Sequence, residues 1–149
     1  MAYAKFQSLL SQISHSALIE LDPALTTAVV QNACVRCVGV TEETIREIIR
    51  AHCAARGCNE SANYIGRQLQ NFYNPKVDKI SALLELFSDN WAQSFRAKVT
   101  DEMKDALGSL VAQKNRIAHG DPTDISIARI RPWIMRARDV CEAVREIVV

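Results

Sequence analysis

The chain has 149 residues, 48% of them hydrophobic, with only five glycines and four prolines. That composition argues against a disordered chain and suits one domain large enough to bury a substantial core. A formal net charge of +1 excludes a strong overall field toward nucleic acid or an anionic membrane, so any contact with a polyanion must rest on a local patch.

Helical periodicity dominates from the start. Phe6, Leu9, Leu10, Ile13, Ala17 and Leu18 recur at three- and four-residue steps and predict a helix from Tyr3 to Ile19. This opening lacks a basic segment followed by an apolar one, and no run reaches membrane-spanning length. The expectation is a cytoplasmic chain with no secretory signal and no membrane contact. Asp22-Pro23 reads as a cap with proline in the first turn, opening a helix to about Val38. Thr41-Glu42-Glu43-Thr44 then reads as a new helix start, with Ile45, Ile48, Ile49 and Cys53 as its apolar face and Gly57 as its end. Gly39 either separates these two helices or kinks a single longer one.

Asn59-Glu60-Ser61 opens a helix to about Phe72, and Asn74-Pro75 breaks it. Lys76 to Phe87 is amphipathic through Val77, Ile80, Leu83, Leu84 and Phe87. Ser88 to Thr100 carries Trp91, Phe95 and Val99 at four-residue steps. Asp101 to His119 is a strong helix with Met103, Leu107, Leu110, Val111 and Ile117 inward, and Gly120-Asp121-Pro122 stops it. A last helix runs from about Asp124 to Val148. No strand alternation or internal repeat is present, so the expected architecture is all-α, a single-domain bundle of six to seven helices over residues 1–149.

Five cysteines are present, including Cys34 and Cys37 in a C-x-x-C, with His52, Cys53 and Cys58 following. Spacing of i,i+3 within the apolar run VVQNACVRCVGV is what two core residues on one helix face show, and no second ligand pair accompanies them. We read these as core thiols and expect no metal and no cofactor.

The informative segment is Lys114-Asn115-Arg116-Ile117-Ala118-His119-Gly120. Asn115 and His119 are i,i+4 neighbours on one helix face, and Arg116 and His119 are i,i+3 neighbours. Lys114 lies about 140° around the helix from His119, so one unbroken helix does not bring that pair together. His119 falls at the helix C-terminus, where exposed carbonyls favour positive charge, and histidine suits acid–base chemistry near neutral pH. The plain alternative is a histidine that only ends a helix. Arg129, Arg131, Arg136 and Arg138 form a basic cluster nearby in sequence, either a patch for RNA or a solvated helix face.

This pattern resembles the HEPN domains, and most closely their RiboL-PSP type. Those domains carry Arg, usually a polar residue after it, three further residues, then His, often followed by Gly. Asn115 and Ala118-His119-Gly120 match, and the order of elements is similar from about Leu9 to Val148. Lys114 stands where the family has Arg, which keeps the charge but loses the planar fork that grips phosphate bidentately. Arg116 is a possible stand-in on another face.

The resemblance implies a metal-independent RNA endonuclease, acting as a toxin or antiviral defence effector. It implies a homodimer with a composite site and restraint by an antitoxin or other regulatory protein. His119, Lys114 and Asn115 would be catalytic, and Arg116, Arg129 and Glu43 would bind substrate, Glu43 because family members often carry an acid in that region. The alternatives are a weak or inactive HEPN module that binds RNA, nucleotide or a partner protein, and a helical dimerisation domain.

Overall fold

The computed structural model describes residues 2–14 and 22–149. The apolar positions Ala17 and Leu18 and the end of the first expected helix at Ile19 lie outside the described residues. Seven helices appear among the described residues: α1 (Ala2–Gln12), α2 (Pro23–Ala54), α3 (Asn59–Gln70), α4 (Val77–Glu85), α5 (Asp89–Lys98), α6 (Asp101–Ala118) and α7 (Ile127–Ile147). There is no strand among them, and the fold is all-α.

The 32-residue helix α2 decides between the two readings of Gly39 in favour of a single longer helix, because Gly39 neither ends nor splits it. Val38 and Thr41 on either side are buried against the core, and that packing outweighs the weak helix preference of glycine. Thr41 does not cap a new helix. Its hydroxyl donates back to the Cys37 carbonyl at 2.8 Å, satisfying a buried polar group within the same helix. Glu42 and Glu43 are therefore mid-helix residues, not first-turn acids. The expected start of α2 is as read: Asp22 Oδ1 accepts from the Ala24 N–H at 2.8 Å, with Pro23 following.

Helix α7 packs on α1, α2, α5 and α6, and α2 packs on α1, α3, α6 and α7. Phe6, Leu9, Ile45, Ile49, Leu84, Phe95, Leu107, Leu110, Ile130 and Ile134 meet in one continuous buried cluster. Lys5 pairs with Glu47 at 3.2 Å and Arg36 with Gln12 at 2.8 Å, so α1 runs antiparallel to α2. Arg136 pairs with Glu102 at 3.0 Å and Lys98 with Glu146, which sets the later part of α7 beside the start of α6. The end of α6 and the start of α7 thus share one end of the molecule.

Cys34, Cys37 and Cys141 are buried in the core, as their apolar setting suggests. Burial pushes the Cys34 thiol up to about 11 and that of Cys37 higher still, which keeps both protonated and unreactive. Cys58 differs: it is exposed at the N-cap of α3.

Candidate functional site

Helix α6 is built to carry polar groups at its far end. Thr100 Oγ1 accepts from the Met103 N–H at 3.2 Å, and Asp101 and Glu102 in the first turn suit the positive end of the helix dipole. At the other end the Gly120 N–H donates to the Ile117 carbonyl at 3.1 Å and the Asp121 N–H to the Arg116 carbonyl at 2.9 Å. Gly120 has φ 75°. These are the paired bonds of a Schellman stop, with His119 as the last residue before the left-handed glycine. The His-Gly pair is therefore fully used as a helix terminator, whatever else the imidazole does.

The motif residues divide between two faces of α6. His119 lies three, four, seven and eleven residues after Arg116, Asn115, Ala112 and Gly108, so these positions share one side. Arg116 and His119 are exposed and Asn115 is half-buried. Among the described residues none of these three side chains makes a hydrogen bond or ion pair. Lys114 instead lies three, four and seven residues after Val111, Leu110 and Leu107, all buried. It is half-buried, on the core side of the helix. The continuous helix does not join Lys114 to His119 within one chain.

Lys114 has a partner of its own. Its Nζ donates to Asn74 Oδ1 at 3.1 Å. Asn74 has φ 54°, a left-handed conformation that asparagine tolerates better than most side chains, and Pro75 behind it is buried. The Asn74 N–H donates to Glu42 Oε1 at 2.9 Å. Glu42 also pairs with Arg46 at 3.8 Å, and both side chains are largely buried, at 13% and 15% exposure. Arg46 donates from Nε to the Leu69 carbonyl at 3.1 Å and from its second amino nitrogen to the Phe72 carbonyl, while its guanidinium lies 5.4 Å from the Tyr73 ring centroid. A chain of polar contacts thus runs from α2 through the turn after α3 to the last turns of α6.

Both acids reach Arg46, but Glu42, and not the expected Glu43, is the one that meets the Asn74 turn. Glu43 pairs with Arg46 at 3.3 Å and Arg50 at 3.6 Å on a more open part of α2. Asn74 and Arg46 were not singled out from the sequence as site residues. The Asn-Pro pair signalled a turn, but a left-handed asparagine whose amide oxygen meets a lysine forty positions away has no local signature.

The arginine cluster separates in space. Arg129 and Arg131 are exposed near the start of α7, at the His119 end; Arg129 stacks over Trp133 at 5.7 Å and approaches Asp124 at 3.9 Å. Arg136 is held by Glu102 and by Asp139 at 3.1 Å, and Arg138 by Asp139 at 2.8 Å. Two turns of α7, about 10 Å along its axis, carry the second pair away from the motif and onto acids, so no single four-arginine patch forms.

Among the described residues no group of three or more His, Cys, Asp or Glu side chains comes close enough to hold a metal, and no helix is long and apolar enough to cross a membrane. Neither a curated protein nor a solved structure gives a significant match to the chain. The sequence model of the family described as RiboL-PSP-HEPN matches residues 3–149, nearly the whole length. With that coverage, the chain belongs to the RiboL-PSP-HEPN family.

Proposed function

We propose that this chain is a metal-independent RNA endonuclease whose catalytic face is the exposed side of the last turns of α6. The observation that carries this reading is the shared, unpartnered face of Asn115, Arg116 and His119, in a chain that belongs to a HEPN family. Histidine near neutral pH can take the proton of a ribose 2′-OH. The 2′-oxygen then bonds to the adjacent phosphorus, the P–O5′ bond breaks, and the departing 5′-oxygen takes a proton. The products are a 2′,3′-cyclic phosphate and a 5′-OH. In a two-fold homodimer, one copy of His119 serves as base and the other as acid, which is why one chain need hold only half of the chemistry.

Arg116 on the His119 side offers the planar fork for the phosphate oxygens, and Asn115 orients the phosphate. Lys114 adds positive charge beneath the site and ties its helix to the Asn74 turn. Arg129 and Arg131 extend the basic surface for the RNA strand. An activity of this kind suits a toxin or antiviral effector, restrained by a cognate antitoxin or regulator.

The deciding experiment is cleavage of a mixed RNA pool in EDTA by the chain and by His119→Ala. Cleavage that survives EDTA, leaves cyclic-phosphate ends and vanishes in the variant is the expected result. Equal cleavage by both proteins rejects the site. A second reading, a non-catalytic RNA-binding module, is favoured by one observation: Lys114 already gives a hydrogen bond to Asn74 from the core side of α6. RNA binding by a folded protein with no cleavage would select it.

A further inference from the structure

A cleft of about 640 Å³ lies between the start of α4 and the outer side of α6, with Lys76, Asp78, Lys104, Asp105, Gly108 and Ala112 in its lining. Its size falls in the range of roughly 300–1,000 Å³ that takes a small organic ligand or one unit of a longer one. The floor residues Gly108 and Ala112 lie on the same side of α6 as Asn115 and His119. Ala112 is seven residues from His119, about 10 Å along the axis. The adjoining nucleotides of a single strand cover that span.

Gly108 is the unexplained residue of this helix. Glycine inside a helix costs about 1 kcal/mol relative to alanine. A Cβ at Gly108 would meet nothing within 4 Å, so close packing inside the chain does not account for it. A bare backbone on the floor of a cleft instead permits close approach by a ligand.

The rim supplies matching chemistry. Lys104 and Asp78 are 3.9 Å apart and offset one another. Lys76 and Asp105 have no hydrogen-bonding or ionic side-chain partner among the described residues. Lys76 therefore offers a free cation for a phosphate. Asp105 is acceptor-only and suits a ribose hydroxyl or a base amino group. This mixed rim, with two acids among its lysines, suits one strand presenting phosphates on one edge and hydroxyl or amino donors on the other.

We infer that this cleft is a subsite for single-stranded RNA, holding the nucleotides beside the one that meets His119, with the sugar and base over Gly108 and Ala112 and a phosphate on Lys76. The inference extends the nuclease reading above by placing a further stretch of its substrate.

The test measures binding of a fluorescein-labelled single-stranded RNA by anisotropy in EDTA, in the His119→Ala background so that nothing is cut. Gly108→Leu fills the floor and Lys76→Gln removes the free cation. Gly108→Leu should weaken binding about tenfold or more while unfolding at the same or a higher temperature, since leucine is the better helix former. Lys76→Gln should weaken binding and reduce the slope of log affinity against log salt by about 0.7, the loss of one single-strand phosphate contact. Unchanged affinity and slope in both folded variants overturn the inference, as does a background protein that binds no RNA. Cleavage by the parent chain is scored separately: cleavage with unaffected cleft variants leaves the nuclease standing without this subsite. Cleft-dependent binding without cleavage leaves the subsite standing on a binding module.

Discussion

Lys114 and Asn74 meet through an amino–amide hydrogen bond of 3.1 Å, although forty positions separate them in the chain. The contact closes a path from Glu42 on α2, through the Asn74 backbone N–H, to the last turns of α6. Asn74 has two separable duties there, the left-handed turn and the amide oxygen. Asn74→Gly keeps the turn and removes the amide, while Asn74→Ala removes both. The alanine variant should lose about 1–2 kcal/mol of stability from the left-handed backbone alone, and the glycine variant clearly less. Urea unfolding of the two proteins checks this, and equal losses would show that the turn conformation contributes little.

Lys114→Arg tests the departure from the family pattern. If the charge beneath the exposed face is what matters, arginine should preserve or raise cleavage, because it keeps the charge and adds a fork that can hold Asn74 and phosphate together. Lys114→Ala should lower cleavage about tenfold or more with the helical signal intact. Rates on one defined RNA, with circular dichroism on the same samples, decide the matter. A Lys114→Arg protein that is well folded but far less active would show that the lysine geometry at Asn74 is required.

Arg46 is the hub on the other side of Asn74. It binds two backbone carbonyls and two carboxylates, and its side chain is only 15% exposed. Arg46→Ala leaves Glu42 largely buried without its cation and should cost about 3 kcal/mol or more. Arg46→Lys should recover only part of this, since an ammonium cannot span the same set of acceptors. Thermal unfolding of the pair, read beside Arg50→Ala at the exposed neighbour, checks it. The Arg50 change should cost well under about 1 kcal/mol.

The all-α architecture was legible because the apolar three- and four-residue steps of α4 to α7 are strong and the N-caps of α5 to α7 are explicit. Thr100, Ser88 and Ser126 each accept from the backbone N–H three residues on. At Gly39 the sequence left a break and a single longer helix both open: Thr41 followed by two acids is a sound local start signal, and the tertiary burial of Val38 and Thr41 is what carries the helix on. The motif faces followed from periodicity, which separates Lys114 from His119. What periodicity does not reach is the partner across space. The bond to Asn74, the choice of Glu42 over Glu43, and the loss of Arg136 to Glu102 depend on how helices cross.

The glycine after His119 gives a prediction that separates termination from chemistry. Gly120 has φ 75°, and a side chain there meets open space, so the penalty for Gly120→Ala is conformational and not steric crowding by neighbours. It should cost about 1–2 kcal/mol. That corresponds to a fall in Tm of a few degrees for a chain of this size. Gly120→Asn, which tolerates the left-handed region, should recover most of the stability. If cleavage falls with alanine and returns with asparagine, the pose of His119 depends on the helix stop. Unchanged cleavage in both would separate the imidazole from the terminator.

The division of the arginines makes the last prediction. Arg116 and Arg129 lie exposed at the His119 end, whereas Arg136 is engaged by Glu102 at 3.0 Å and Asp139 at 3.1 Å. A cation already neutralised by two carboxylates releases few counterions when RNA arrives. Arg116→Ala and Arg129→Ala should each weaken RNA binding and flatten its salt dependence by about 0.7 in the log–log slope, if each holds one phosphate of a single strand. Arg136→Ala should leave affinity and slope unchanged and cost under about 1 kcal/mol of stability. Salt titrations of RNA binding in the uncleaving His119→Ala background measure all three. A slope change for Arg136→Ala equal to that for Arg116→Ala would mean that the RNA surface runs down α7, away from the motif, and would count against a substrate path centred on the end of α6.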